Sequence, residues 1–208
     1  GQMGPRGNPV ASRLVKNSDV ILAIGTRLGF NSTFYSYDNL NKKAKIIQIE
    51  LEKKMLGKYF PATVKIHADA ATATKQLYNQ IKKDKIKINL KNWTNLYLKE
   101  RNEYLQKRDK ENLGLNFPIQ PKGLFKQLRR VLPKNSAITL DAGTLCLQAT
   151  DALEYYDPPS LFTPLDFGLV GFSFACGLGV KVAKPKKTVV SLMGDGGFGM
   201  TISELSTA

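Results

Sequence analysis

Near the end of the chain an apolar run, Val189 to Met193, halts at the glycine-rich phrase Gly194-Asp-Gly-Gly-Phe-Gly199, after which a helical pattern begins. A strand with no polar alternation suits a parallel sheet covered on both faces, and such sheets bind ligands beyond the carboxyl ends of their strands. The same pattern recurs upstream. Asp19-Val-Ile-Leu-Ala-Ile-Gly25 is a second continuous apolar strand ending at glycine, Lys45 to Glu50 is a third, and Ala137-Ile-Thr-Leu140 leads into the loop Asp141-Ala-Gly-Thr144. Helical patterns lie between them, including one from about Ala70 to Lys82 and one from Pro121 to Leu132. Strands alternating with helices predict an α/β fold with parallel sheets.

Two doubly wound parallel-sheet units are expected, residues 1–83 and 119–208, both incomplete in this chain and joined by a helical connector over 84–118. Trp93, Leu96, Tyr97, Tyr104 and Leu105 fall at helical intervals in the connector, which reads as amphipathic. Asn112-Leu-Gly-Leu-Asn-Phe-Pro118 breaks that pattern and marks a boundary. The chain opens in a turn-rich phrase without an initiator methionine and ends inside a helical pattern. It reads as a segment of a longer protein.

The glycine phrase has two chemical readings. Gly194, Gly196 and Gly199 fit the G-x-G-x-x-G spacing of a dinucleotide fold, in which backbone approaches a pyrophosphate at a helix N-terminus. Asp195 argues against the plain version, because a carboxylate facing a diphosphate repels it unless a divalent cation lies between. Mg²⁺ is commonly held by one or two carboxylates plus substrate phosphates. Metal-bridged diphosphate binding is the better reading, with Asp195 as ligand. Downstream, Thr201 and Glu204 have capping-box spacing for a helix start.

Composition narrows the alternatives. A net charge of +14 raises the possibility of a nucleic-acid partner. The densest basic stretch, Lys82 to Lys110, is interspersed with Asp84, Glu100, Glu103 and Asp109 and carries no reading helix, stacking platform or zinc spacing, so it reads as a solvated lysine-rich surface. Cys146 and Cys176 form no C-x-x-C pair. No segment approaches the roughly 18 apolar residues of a membrane span. The expectation is a cytoplasmic protein that binds neither nucleic acid nor membrane. His67, the one histidine, stands beside a strand end with no nucleophile nearby and reads as structural. Arg27 in the turn after Gly25 suits either an anion or a neighbouring acid, and Glu50 reads as a surface acid more readily than a ribose ligand.

Four phrases carry a family resemblance. Gly194-Asp-Gly196 followed by a helix, Gly168-Leu-Val-Gly171, and the earlier pair Ser18 to Leu28 and Ala44 to Glu50 resemble thiamine diphosphate-dependent enzymes of the kind that includes acetolactate synthase, 2-oxo acid decarboxylases and sulfoacetaldehyde acetyltransferase. The resemblance implies a central domain, which in some members binds FAD or ADP, then a connector and a diphosphate-binding domain. It implies Asp195 as a Mg²⁺ ligand and Gly194, Gly196 and Gly197 as its cofactor-binding loop. Gly143 and Thr144 would stand at the diphosphate, the Gly168 carbonyl would accept from the aminopyrimidine, and Val170 would wedge the cofactor into its bent shape. An asparagine that completes the metal site would lie beyond Ala208, and the activating glutamate before Gly1. The implied activity is decarboxylation of a 2-oxo acid, or transfer of the resulting acyl or aldehyde unit to an acceptor, in a homodimer or homotetramer. Acetolactate synthase is the nearest type and sulfoacetaldehyde acetyltransferase its rival. An NAD-dependent Rossmann enzyme and a basic nucleic-acid module are the readings from other classes.

Overall fold

The computed structural model describes residues 2–4, 7–110, 117–164 and 166–208. The chain forms two compact units, Gly1–Tyr104 and Leu105–Ala208. Of the expected break at 112–118, residues 112–116 lie outside the described residues.

The first unit runs α1 (Pro9–Lys16), β1 (Val20–Ile24), α2 (Phe30–Thr33), β2 (Lys45–Glu50), a 3-10 turn at Lys53–Met55, β3 (Val64–His67) and α3 (Ala70–Lys83). Its helices begin where the sequence supplies caps: the Asn8 side chain accepts from Val10 and Ala11 amides, and Asp69 accepts from the Thr72 amide at 2.8 Å. The three strands form a parallel sheet in the order β1-β2-β3, with Ile21 opposite Ile46 and Ile49 opposite Ile66. Ala23, Leu28, Leu40, Ile46 and Phe60 make the core.

One expectation fails here. A run as apolar as Val20–Ile24 predicts burial on both faces, yet Val20, Leu22 and Ile24 are exposed among the described residues. In the sheet order β1 is an edge strand, and only its Ala23 face meets the core.

The helix α4 (Lys91–Lys110) contains the division between the units and begins at Lys91, seven residues into the connector expected over 84–118. None of its residues is fully buried. A half-buried stripe does run along it, through Trp93, Tyr97, Glu100, Tyr104 and Arg108, so charged residues share the inner face. Two of them are engaged there: Arg13 donates to Glu100 at 3.0 Å, and Arg108 to the Asp151 carbonyl at 3.1 Å. Leu96, expected on that face, is 52% exposed.

The second unit continues with α5 (Pro121–Val131), β4 (Ala137–Leu140), α6 (Thr144–Ala152), β5 (Leu161–Phe162), α7 (Phe172–Ala183), β6 (Val189–Leu192), α8 (Asp195–Thr201) and a 3-10 turn at Ile202–Leu205. Its parallel sheet has the order β5-β4-β6. Every residue of the central strand β4 is buried, as its composition predicts. Phe125, Ile138, Leu140, Cys146, Ala149 and Leu153 form the core between α5, α6 and β4.

Across the sheet α7 crosses β4 and β6 closely. A Cβ on Gly177 would stand 2.1 Å from Ser191 Oγ and 3.3 Å from Thr139 Oγ1. Those hydroxyls are committed: Thr139 Oγ1 donates to the Ser173 carbonyl at 2.8 Å, and Ser191 Oγ donates to the same carbonyl at 3.3 Å. Gly177 and Ser173 thus have a packing cause, whereas Gly179, with no described atom within 4 Å of where its Cβ would stand, does not.

Candidate functional site

In the second sheet the chain leaves β4 through α6 to reach β5 on one side, then recrosses through α7 to β6 on the other. The carboxyl ends of β4 and β6 therefore flank the point where strand order reverses, the usual ligand crevice of an open α/β sheet. Leu140 pairs with Leu192, so the loops Asp141–Gly143 and Met193–Gly194 leave the sheet side by side.

Asp141 ties this edge together. It is 2% exposed. Its Oδ1 accepts from the Ala142 and Gly171 amides, both at 2.9 Å, and its Oδ2 from the Ser173 amide at 2.9 Å. A buried carboxylate needs such donors, and hydrogen bonds to a charged acceptor contribute about 1.5–3 kcal/mol each. The first turn of α8 also meets it: a Cβ on Gly197 would lie 3.0 Å from the Asp141 carboxyl carbon. One side chain thus touches the segment after β4, the turn that opens α7, and α8. Sequence reading placed Asp141 in the loop and gave it no role; the available signal was an acid set directly after a wholly apolar strand.

The candidate glycines divide into two sets. Gly143 (φ +113°) and Gly168 (φ +74°) occupy conformations that L side chains rarely adopt, and no described atom lies within 4 Å of where their Cβ would stand. Gly194, Gly196 and Gly199 have equally open surroundings without the unusual φ. Gly197 differs, since its missing side chain makes room for Asp141 and it is buried. Thr144 is exposed as the first residue of α6, and Val170 is 48% exposed in the turn before α7.

The phrase expected as a loop is the first turn of a helix. Its N-cap is Gly194 and its first residue is Asp195, exposed in the position where an acid complements the helix dipole. The capping box is not formed: Thr201 Oγ1 donates to the Gly197 carbonyl at 3.2 Å. Four glycines in and around one helical turn disfavour a helix, so tertiary context overrode propensity here.

This edge fits a diphosphate with one hard cation. α6 starts on Gly143 without a side-chain cap among the described residues, so its first amides have no intrahelical acceptor and suit an anion. Asp195 is an exposed carboxylate beside it in the sheet order. Among the described residues no three His, Cys, Asp or Glu side chains gather, and Mg²⁺ is commonly held by only one or two carboxylates together with phosphate oxygens. A cavity of about 950 Å³ lies elsewhere, against Pro158, Phe162, Cys176 and Val180 toward the opposite edge of the sheet. Its apolar lining is not the chemistry a diphosphate needs.

In the first unit, Gln48 is 2% exposed and links the edge loops, donating to the Thr26 carbonyl at 3.1 Å and accepting from the Gly57 amide at 2.7 Å. His67 Nε2 lies 2.9 Å from the Leu51 carbonyl, a structural contact, and Glu50 Oε1 accepts from the Glu52 amide at 3.2 Å. Arg27 lies against Gly29.

Fold and edge together define an α/β protein with an open crevice at a sheet reversal. Comparison with known proteins makes this specific. Residues 1–77 match the model for the thiamine pyrophosphate enzyme central domain, and residues 141–208 the model for the C-terminal TPP-binding domain of the same enzymes. The chain belongs to the thiamine pyrophosphate enzyme family. Among its relatives, sulfoacetaldehyde acetyltransferase of Castellaniella defragrans is 29% identical, over all of this chain and 38% of its own length. The acetolactate synthase large subunit of Buchnera aphidicola subsp. Schizaphis graminum is 31% identical, over 99% of this chain and 35% of its own. The probable acetolactate synthase large subunit of Methanococcus aeolicus is 29% identical, over all of this chain and 36% of its own. The chain thus spans a little over a third of the length of these relatives. No helix among the described residues is long and apolar enough to cross a membrane.

Proposed function

We propose that this chain supplies the Mg²⁺ and diphosphate side of the cofactor site in an enzyme that decarboxylates a 2-oxo acid, or passes the resulting two-carbon unit to an acceptor, with acetolactate synthase as the nearest type. The observation that carries the reading is the meeting of three loops on Asp141 at the β4–β6 reversal, with Asp195 next in line. Thiamine diphosphate, when bound, supplies an electron sink for cleavage of a bond beside a carbonyl.

The chain's own residues have defined work. The α6 amides after Gly143, together with Thr144, would hold phosphate oxygens, and Asp195 would hold the cation that neutralises them. Gly194 and Gly196 leave backbone uncovered for close approach. The turn Gly168–Val170 would position the organic part of the cofactor, Gly168 through its carbonyl and Val170 by its bulk. Activation and substrate choice are assigned to parts of the relatives that this chain does not match, in a homo-oligomer. FAD or ADP at the first unit is a separate proposal, to be checked by the absorbance and mass of nucleotide released on denaturing the full-length enzyme.

Asp195→Ala in the full-length protein is expected to abolish Mg²⁺-dependent thiamine diphosphate binding while leaving the circular dichroism spectrum unchanged. Calorimetry returning the same affinity as the parent would remove the reading. Sulfoacetaldehyde acetyltransferase is the second reading, favoured by the 29% match over the whole chain. Turnover of pyruvate against sulfoacetaldehyde, with and without phosphate, separates the two.

A further inference from the structure

Resting on the cofactor reading above, we infer that Asp141 is a positioning residue whose carboxylate couples the three cofactor loops, so that ligand affinity depends on a side chain that never touches the ligand. The geometry assigns each oxygen. Oδ1 takes the Ala142 and Gly171 amides, fixing the segment after β4 to the last residue of the Gly168–Gly171 turn, and Oδ2 takes the Ser173 amide in the first turn of α7. Gly197 closes over the carboxyl carbon so tightly that a methyl group there would fit only if the carboxylate gave way by a few tenths of an ångström. Gly171 is itself pinned from the α8 side, since a Cβ there would stand 3.2 Å from Met200 Cβ.

All three polar neighbours are backbone donors, so a carboxylate satisfies them and an amide does not. Asn at this position would set its NH₂ against one of those amides, donor to donor. Gly197 is the same contact seen from the other side. A methyl group there pushes on the carboxylate without deleting a hydrogen-bonding atom. Groups that share one contact are expected to couple in a double-mutant cycle.

The test uses the full-length protein, with thiamine diphosphate and Mg²⁺ as probes, well below the melting temperature of each variant. Asp141→Asn and Gly197→Ala are each expected to weaken binding at least tenfold, and the double variant by much less than the product of the two factors. A residue that merely supports the fold would lower the melting temperature and leave affinity and coupling untouched; that result overturns the inference. Should either variant fail to fold, amide hydrogen exchange on the unmodified protein decides. The Gly171 and Ser173 amides should be protected before ligand is added and slow further with it, together with amides of residues 195–201. Exchange at unprotected rates, or slowing confined to 195–201, overturns it. If the unmodified protein binds no thiamine diphosphate, the cofactor reading itself has failed; if it binds and both variants match it, only the role of Asp141 has.

Discussion

At the scale of single residues, the glycines of the second unit serve different ends, and the same substitution separates them. Gly177→Ala would drive a methyl group into Ser191 Oγ, and overpacking of this kind costs about 1–3 kcal/mol. Urea denaturation should show that loss, with much of it recovered in the Gly177→Ala/Ser191→Ala pair; strict additivity would disprove the contact. Gly196 is helical with open surroundings. Gly196→Ala is therefore expected to stabilise the fold by up to about 1 kcal/mol while weakening thiamine diphosphate binding. Gly143→Ala should lose stability, by about 1–3 kcal/mol, because φ +113° is hard for any L side chain. Melting temperature and calorimetry on the same samples check both signs; a destabilised Gly196→Ala would count against the open helix start.

At the scale of elements, β1 and β4 are equally apolar in sequence and differ in position. β4 is central and buried throughout, whereas β1 is at the edge of its sheet with alternate residues exposed. In the 208-residue chain, Leu22→Ser should change stability by less than about 0.5 kcal/mol, while Ile138→Ala should cost about 2–5 kcal/mol. Denaturant midpoints compare them, and a large loss at Leu22 would mean that face is covered. The stripe on α4 carries the same lesson: helical spacing was legible, but Glu100 and Arg108 sit on the inner face because Arg13 and the Asp151 carbonyl receive them there. Spacing gives a face without saying which partner it meets.

At the scale of the whole molecule, the charge of +14 is interspersed with acids and uneven, with 19 basic and 8 acidic residues in 1–104 against 12 and 9 in 105–208. Such a surface attracts polyanions without reading them. We expect duplex DNA to bind the chain at low salt only, alike for all sequences, and to be lost by about 200 mM salt. A filter-binding series checks this; sequence preference at physiological salt would revive the nucleic-acid reading.

Sequence alone determined the α/β class, the parallel strands and the three glycine phrases, because each depends on local matters: uninterrupted apolar runs, caps such as Asn8 and Asp69, and backbone that must stay uncovered. It also singled out Asp195, since a lone acid in a phosphate-type loop is a local contradiction that a cation resolves. Tertiary structure decided what depends on neighbours distant in the chain. The reversal of strand order brings the end of β4 beside the end of β6, and only then does Asp141 meet amides 30 and 32 residues away and the face of Gly197. That Gly194-Asp-Gly-Gly-Phe-Gly199 starts a helix was likewise beyond local reading, because helix propensity is a weak preference that tertiary context overrides.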